Sequence, residues 1–140
     1  MLMGLALCSV QSYAASRILF TTALPVGSTI TLTISADGAV TAQGLAGAIL
    51  ADGKPHAYTI ESADVKLSGA ITAITLSHQK LSALDVRQAK ELAELRCDNN
   101  NLTELNIAYA KALHRLDCTY NQLERLDIPK ESLLKELRLK

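Results

Sequence analysis

Three histidines, three cysteines and a recurring set of aspartates are the side chains of this chain that could carry catalytic or metal chemistry. A general base or a metal centre needs such groups at spacings that let them converge. His56, His78 and His114 share no ligand spacing and no common position in the sequence pattern. Cys97 and Cys118 stand 21 residues apart, not as a Cys-x-x-Cys pair, and no histidine recurs beside them. Asp85 and Asp127 recur only because the surrounding segment recurs. No glycine-rich phosphate loop, nucleophile elbow or zinc signature is present. The expectation is a non-enzymatic chain with no cofactor and no metal.

Other polar residues do fall at regular spacing. Gln79, Asn100 and Asn121 place an amide side chain, able both to donate and to accept, once every 21 residues. Tight turns at strand ends leave peptide groups that must be paired if buried, so the role expected of these three is structural. Charged residues repeat with the same period. One column reads Ala73, Glu94, Arg115, Glu136 and the next Thr75, Arg96, Asp117, Arg138, with Asp98 and Thr119 following in phase. Signs alternate along each column. Glu94 is expected to face Arg115, Arg96 to face Asp117 and Glu104 to face Arg125, each pair contributing roughly 0.2–1 kcal/mol.

These positions imply their own scaffold. Ile71–Leu81, Leu92–Leu102 and Leu113–Leu123 superimpose without a gap, and a fourth copy starts at Leu134. Leu95 and Cys97 alternate with Glu94, Arg96 and Asp98, the period of a strand with one buried face. Leu84-Asp-Val86, Leu105-Asn-Ile107 and Leu126-Asp-Ile128 form a second apolar series too short for a helix. One such unit cannot bury its apolar edge alone, so the units must stack, with Leu95, Leu116 and Leu137 in one interior column. Equivalent positions on adjacent parallel strands lie about 4.8 Å apart and point the same way, which suits Cys97 and Cys118 as small buried hydrophobes better than as a disulfide.

The pattern Leu92, Leu95, Cys97, Asn100, Leu102, Leu105, Ile107 resembles a leucine-rich repeat. Its 21-residue length, its cysteine and its Leu-Asp-Val or Leu-Asn-Ile segment are similar to the internalin-like repeats of secreted Bacteroidota surface proteins. The resemblance covers about half of the chain. It implies a mostly β, short leucine-rich repeat solenoid, a buried amide ladder and a surface that recognises a protein partner in adhesion.

The preceding sequence differs in character. Residues 1–15 read as an export signal: Met1–Leu7 is a short apolar run, and Ser12 and Ala14 place small residues where a signal peptidase inspects them. Leu7 stands where a small residue would precede a lipid-anchored Cys8. Residues 16–69 read as an N-terminal β-rich cap, with Thr29–Ile34 as a strand, Ser35–Gly38 as a turn, Ala39–Ala42 as the returning strand of a hairpin, and His56–Glu61 as another strand. Ile60, Asp64 and Val65 hint at a degenerate half-unit. Residues 70–140 hold the repeats, 71–91, 92–112, 113–133 and a partial 134–140.

Lys plus Arg and Asp plus Glu both number 14, so nothing favours nucleic acid or an anionic membrane. The expected product is secreted or displayed at the cell surface, does not span a membrane, and binds a protein through Glu94, Arg96, Asp98, Arg115, Asp117, Thr119, Glu136 and Arg138. Tyr109 and Tyr120 are the exposed aromatic candidates. The competing expectation is a structural spacer or cap for another domain of a longer secreted protein.

Overall fold

A computed structural model describes residues 16–130 and 132–139; the expected export signal lies outside them. Among the described residues the chain is all β, with no helix. Twelve strands follow in order: β1 Arg17–Thr22, β2 Thr29–Ala36, β3 Thr41–Gln43, β4 Asp52–Thr59, β5 Asp64–Ser68, β6 Ile71–Thr75, β7 Leu81–Asp85, β8 Glu94–Arg96, β9 Glu104–Asn106, β10 Arg115–Asp117, β11 Arg125–Asp127 and β12 Glu136–Arg138.

From β6 onward the chain winds a β-solenoid of about three turns. β6, β8, β10 and β12 pair in parallel as one wall, and their register aligns Ile74, Leu95, Leu116 and Leu137 as one interior column. β7, β9 and β11 form the opposite wall, where β9 and β11 pair in parallel and Leu105 faces Leu126. The strands are three to five residues long because each unit supplies only one or two inward side chains per wall before it must turn. Leu76, Leu81, Leu92, Cys97, Leu102 and Leu113 fill the space between walls, all essentially excluded from solvent.

Both walls continue into the N-terminal strands. β2 pairs antiparallel with β6 and with β4, making one six-stranded sheet in the order β12-β10-β8-β6-β2-β4. β1 pairs antiparallel with β7 and with β5, extending the other wall. Ile18, Phe20, Ile30, Leu32 and Ile34 join the same hydrophobic core as the coil residues.

Two sequence expectations are corrected here. The strand at Thr29–Ala36 is present, but its hairpin with residues 39–42 is not. Both edges of β2 are taken by β4 and β6, and β3 crosses to the other sheet, where it pairs with β5. Glycines make that crossing possible. Gly69, at φ 145°, lies so close to β3's lead-in that a Cβ would sit 2.7 Å from the Ala39 carbonyl oxygen, and Gly44 meets the Asp64 carbonyl in the same way. The half-unit at Ile60–Val65 is likewise not a coil: β1 lies between β5 and β7, so the segment that matches the repeat in sequence does not stack on it.

The turns also recur. His78, Asn99 and Tyr120, one per coil, all adopt positive φ, at 60°, 56° and 55°. A left-handed residue there ends the first-wall strand and aims the following amide inward.

Candidate functional site

The residue after each left-handed turn is a ladder amide. Asn100 is 6% exposed. Its Oδ1 accepts from the backbone N–H of Gln79 (3.1 Å) and Leu81 (2.9 Å), and its Nδ2 donates to the carbonyls of Leu76 (3.0 Å), Cys97 (2.9 Å) and Asp98 (3.2 Å). Asn121, half-buried, repeats the device one coil on: Oδ1 accepts from Leu102 N–H (3.0 Å) and Nδ2 donates to Cys97, Cys118 and Thr119 carbonyls. Gln79 departs from the series. Its longer side chain donates to the Ser77 carbonyl (2.8 Å) and accepts from Thr31 N–H (3.2 Å), so it ties the first coil to β2.

This ladder fixes the edge of a broad polar face on the first wall. Its rows follow the register: Ser35, Ala73, Glu94, Arg115, Glu136 in one and Thr33, Thr75, Arg96, Asp117, Arg138 in the next. Ser77, Asp98 and Thr119 stand just beyond the strand ends. All eight sequence-predicted binding residues therefore share one face. The hydroxyl-bearing N-terminal extension of each row, Ser35 and Thr33, escaped the sequence reading because it depends on β2 pairing with β6.

The ion pairs differ from expectation. Arg115 lies between two carboxylates, with Nη1 3.9 Å from Glu94 and Nε 3.4 Å from Glu136. Arg96 and Asp117 do not pair, because the short Asp117 carboxylate is held by the Thr119 hydroxyl (2.8 Å) and N–H (3.1 Å) at its own strand end. Glu104 and Arg125 do not pair either; Arg125 turns to Asp127 on its own strand at 3.1 Å. Asp98 is partly buried, which disfavours its charge, but hydrogen bonds from the Ser77 hydroxyl and Asn99 amide prevail and hold its carboxyl below the usual range.

The first-wall face is shallow, with a hollow of about 110 Å³ between its charged rows. A larger concavity, about 740 Å³, lies on the outer side of the other wall, where Leu19 and Ala83 form an apolar floor beneath Asp64, Asp85, Glu104 and Asp127. Its charges are largely spent locally. Arg87 grips Asp85 with two hydrogen bonds (3.0 and 2.8 Å), which lowers the carboxyl's pKa, and Thr21 donates to Asp64 at 2.7 Å. The groove arises at the junction where β7 and β9 are neighbours without a shared ladder, a break that periodicity does not announce.

Tyr109 and Tyr120 are 62% and 67% exposed, but they sit on turns at opposite rims of the coil and form no common patch. The histidines are equally dispersed: His56 pairs with Asp52 on β4 (2.9 Å), His78 occupies a turn and His114 precedes β10. No helix among the described residues is long and apolar enough to cross a membrane.

Cys97 and Cys118 are free, buried thiols. Burial pushes Cys97 well above its ordinary value and Cys118 up to about 11. Unfolding returns Cys118 to about 9, so the unfolded chain holds fewer protons between those values. The thiol's contribution is therefore whole below pH 9 and lost as pH rises through 11. Native protein at neutral pH is expected to resist a thiol reagent until denaturant is added; rapid labelling of the folded chain would contradict this burial. Searches of protein-family models, curated proteins and solved structures found no match to the chain.

Proposed function

We propose that the chain is an extracellular, non-enzymatic recognition module: a leucine-rich repeat solenoid of internalin-like type, closed at its N-terminal end by a β cap, that binds a protein partner through the first-wall face in surface adhesion. The observation that carries this reading is the single in-register face on which Glu94, Arg96, Arg115, Asp117, Glu136 and Arg138 converge. A rigid sheet presents such side chains with little conformational entropy left to lose on binding. Alternating signs favour a protein surface of mixed charge over a polyanion. Export through the N-terminal signal would bring the face to such partners. The spacer reading draws on a different observation, that Arg115 is already engaged by two carboxylates.

Reversing charge at Arg96 and Arg115 together tests the proposal. The purified chain is expected to bind cell surfaces saturably and the double variant to lose that binding while keeping its β circular dichroism. Equal binding by both proteins would remove this face from consideration and favour the spacer.

A further inference from the structure

The groove on the outer side of the second wall holds two charges that nothing beside them neutralises. Asp85 is gripped by Arg87, Asp127 by Arg125, and Asp64 accepts from the Thr21 hydroxyl. Lys66 on β5 and Glu104 on β9 line the same groove, and neither side chain has an ion pair or hydrogen bond among the described residues. Arg125 stands opposite Glu104 in the ladder but turns away to Asp127.

An apolar floor separates the two charges. Lys66 lies beside Leu19 on β1, Leu19 is diagonal to Ala83 on β7, and Glu104 holds the repeat position of Ala83 one coil on. Leu19 is 37% exposed. The groove therefore offers a cation, two apolar side chains and an anion in order, across three strand steps or about 15 Å. Its floor also carries backbone groups without partners. Thr22 N–H donates to the Ala63 carbonyl, so alternation gives Phe20 to β5 and Leu19 and Thr21 to β7, opposite Asp85 and Ala83. The N–H and C=O of Leu84, between those two, turn toward β9. Asn101 N–H reaches the Leu81 carbonyl where the seam begins (2.9 Å), and no further backbone hydrogen bond joins β7 to β9.

We infer that this groove binds an extended segment of a protein, one that carries an acidic, an apolar and a basic side chain at alternate positions. Charge order and span select this occupant. On one side of an extended strand, residues i and i+4 lie about 13 Å apart, and the long side chains of Lys66 and Glu104 cover the difference. The acid meets Lys66, the apolar side chain rests on Leu19 and Ala83, and the base meets Glu104. The segment's own peptide groups pass over the seam, where those of Leu84 are uncommitted. Charges this far apart exclude a free amino acid, and a polyanion would be repelled at Glu104. At about 740 Å³ the concavity has the size of ligand pockets in general. It lies on the wall opposite the proposed adhesion face, so the two sites stand or fall separately.

Fluorescence anisotropy of a labelled, end-capped peptide, Thr-Glu-Thr-Leu-Thr-Lys-Thr, titrated with the purified chain tests this. Saturable binding is expected, with a dissociation constant below about 1 mM. Because a peptide can run across the strands in either direction, the controls carry like charges, Glu at both charged positions or Lys at both. Each should bind roughly fivefold or more weakly. Lys66→Glu, outside the core, should exchange the preference and favour the peptide with two Lys, a gain that a misfolded variant could not show. Reversing charge at Arg96 and Arg115 should leave every one of these affinities unchanged, whatever it does to cell-surface binding. No saturable binding below about 1 mM overturns the inference. So do equal affinities for the three peptides, an unaltered preference in Lys66→Glu, or peptide binding that is lost with Arg96 and Arg115.

Discussion

Replacing Asn100 with alanine is expected to cost the fold about 3 kcal/mol or more, since each buried peptide group left without a partner costs about 1–3 kcal/mol. The side chain serves five backbone groups at once: two N–H donors from the coil before it and three carbonyls. Water cannot readily replace it, because the residue lies between coils with 6% exposure. Asn100→Asp should be nearly as harmful: it keeps the acceptor but turns a second oxygen toward three carbonyls. Asn121→Ala should cost less, near 1–2 kcal/mol, because its coil is closer to the open end and the groups it releases are partly wetted. Urea denaturation of the three variants measures the order. A loss under about 1 kcal/mol for Asn100→Ala would mean that the turns find their partners without the ladder.

Leu95→Ala should cost a further class of energy, about 3–4 kcal/mol, through lost burial and the cavity left behind. Leu95 is fully buried in the middle of the first-wall column, with Ile74 and Leu116 on either side. Leu137, the same repeat position two coils later, is 39% exposed, so Leu137→Ala should cost under about 1 kcal/mol in the monomer. Chemical denaturation of this pair reads the polarity of the array directly. Equal losses at both positions would contradict the difference in burial between them.

The column itself was legible in the sequence because a coil of fixed length leaves its residues in phase, and Leu95, Leu116 and Leu137 do align. Asn100 and Asn121 were legible for the same reason. Ala89 and Ala110 recur at that spacing and are buried at 3% and 2% between Val86 and Leu92 and between Ile107 and Leu113, but residues so small leave only a faint apolar signal in the sequence. Local propensity revealed the strand at Thr29–Ala36 but could not reveal its neighbours, because antiparallel pairing of Ile34 with Ile74 joins segments far apart in the chain. The charge face was half legible. Arg115 meets its expected carboxylate and gains a second, whereas Asp117 takes a nearer partner, Thr119, just past its strand end, and Arg125 takes Asp127 on its own strand. Sequence spacing says which side chains share a face, and competition among local donors decides which of them touch.

The hydrogen bonds of the coil run along its winding axis, from one three-residue strand to the next. Tension applied between the two ends would therefore act on one short rung at a time instead of shearing a long sheet at once. Starting from β12, each rung that opened would pay out a coil of 21 residues, about 70 Å of extended chain at roughly 3.3 Å per residue. Pulled from both ends, the solenoid would behave as a stepwise shock absorber that lengthens by uniform increments while the tightly crossed strands around β1 and β2 hold until last.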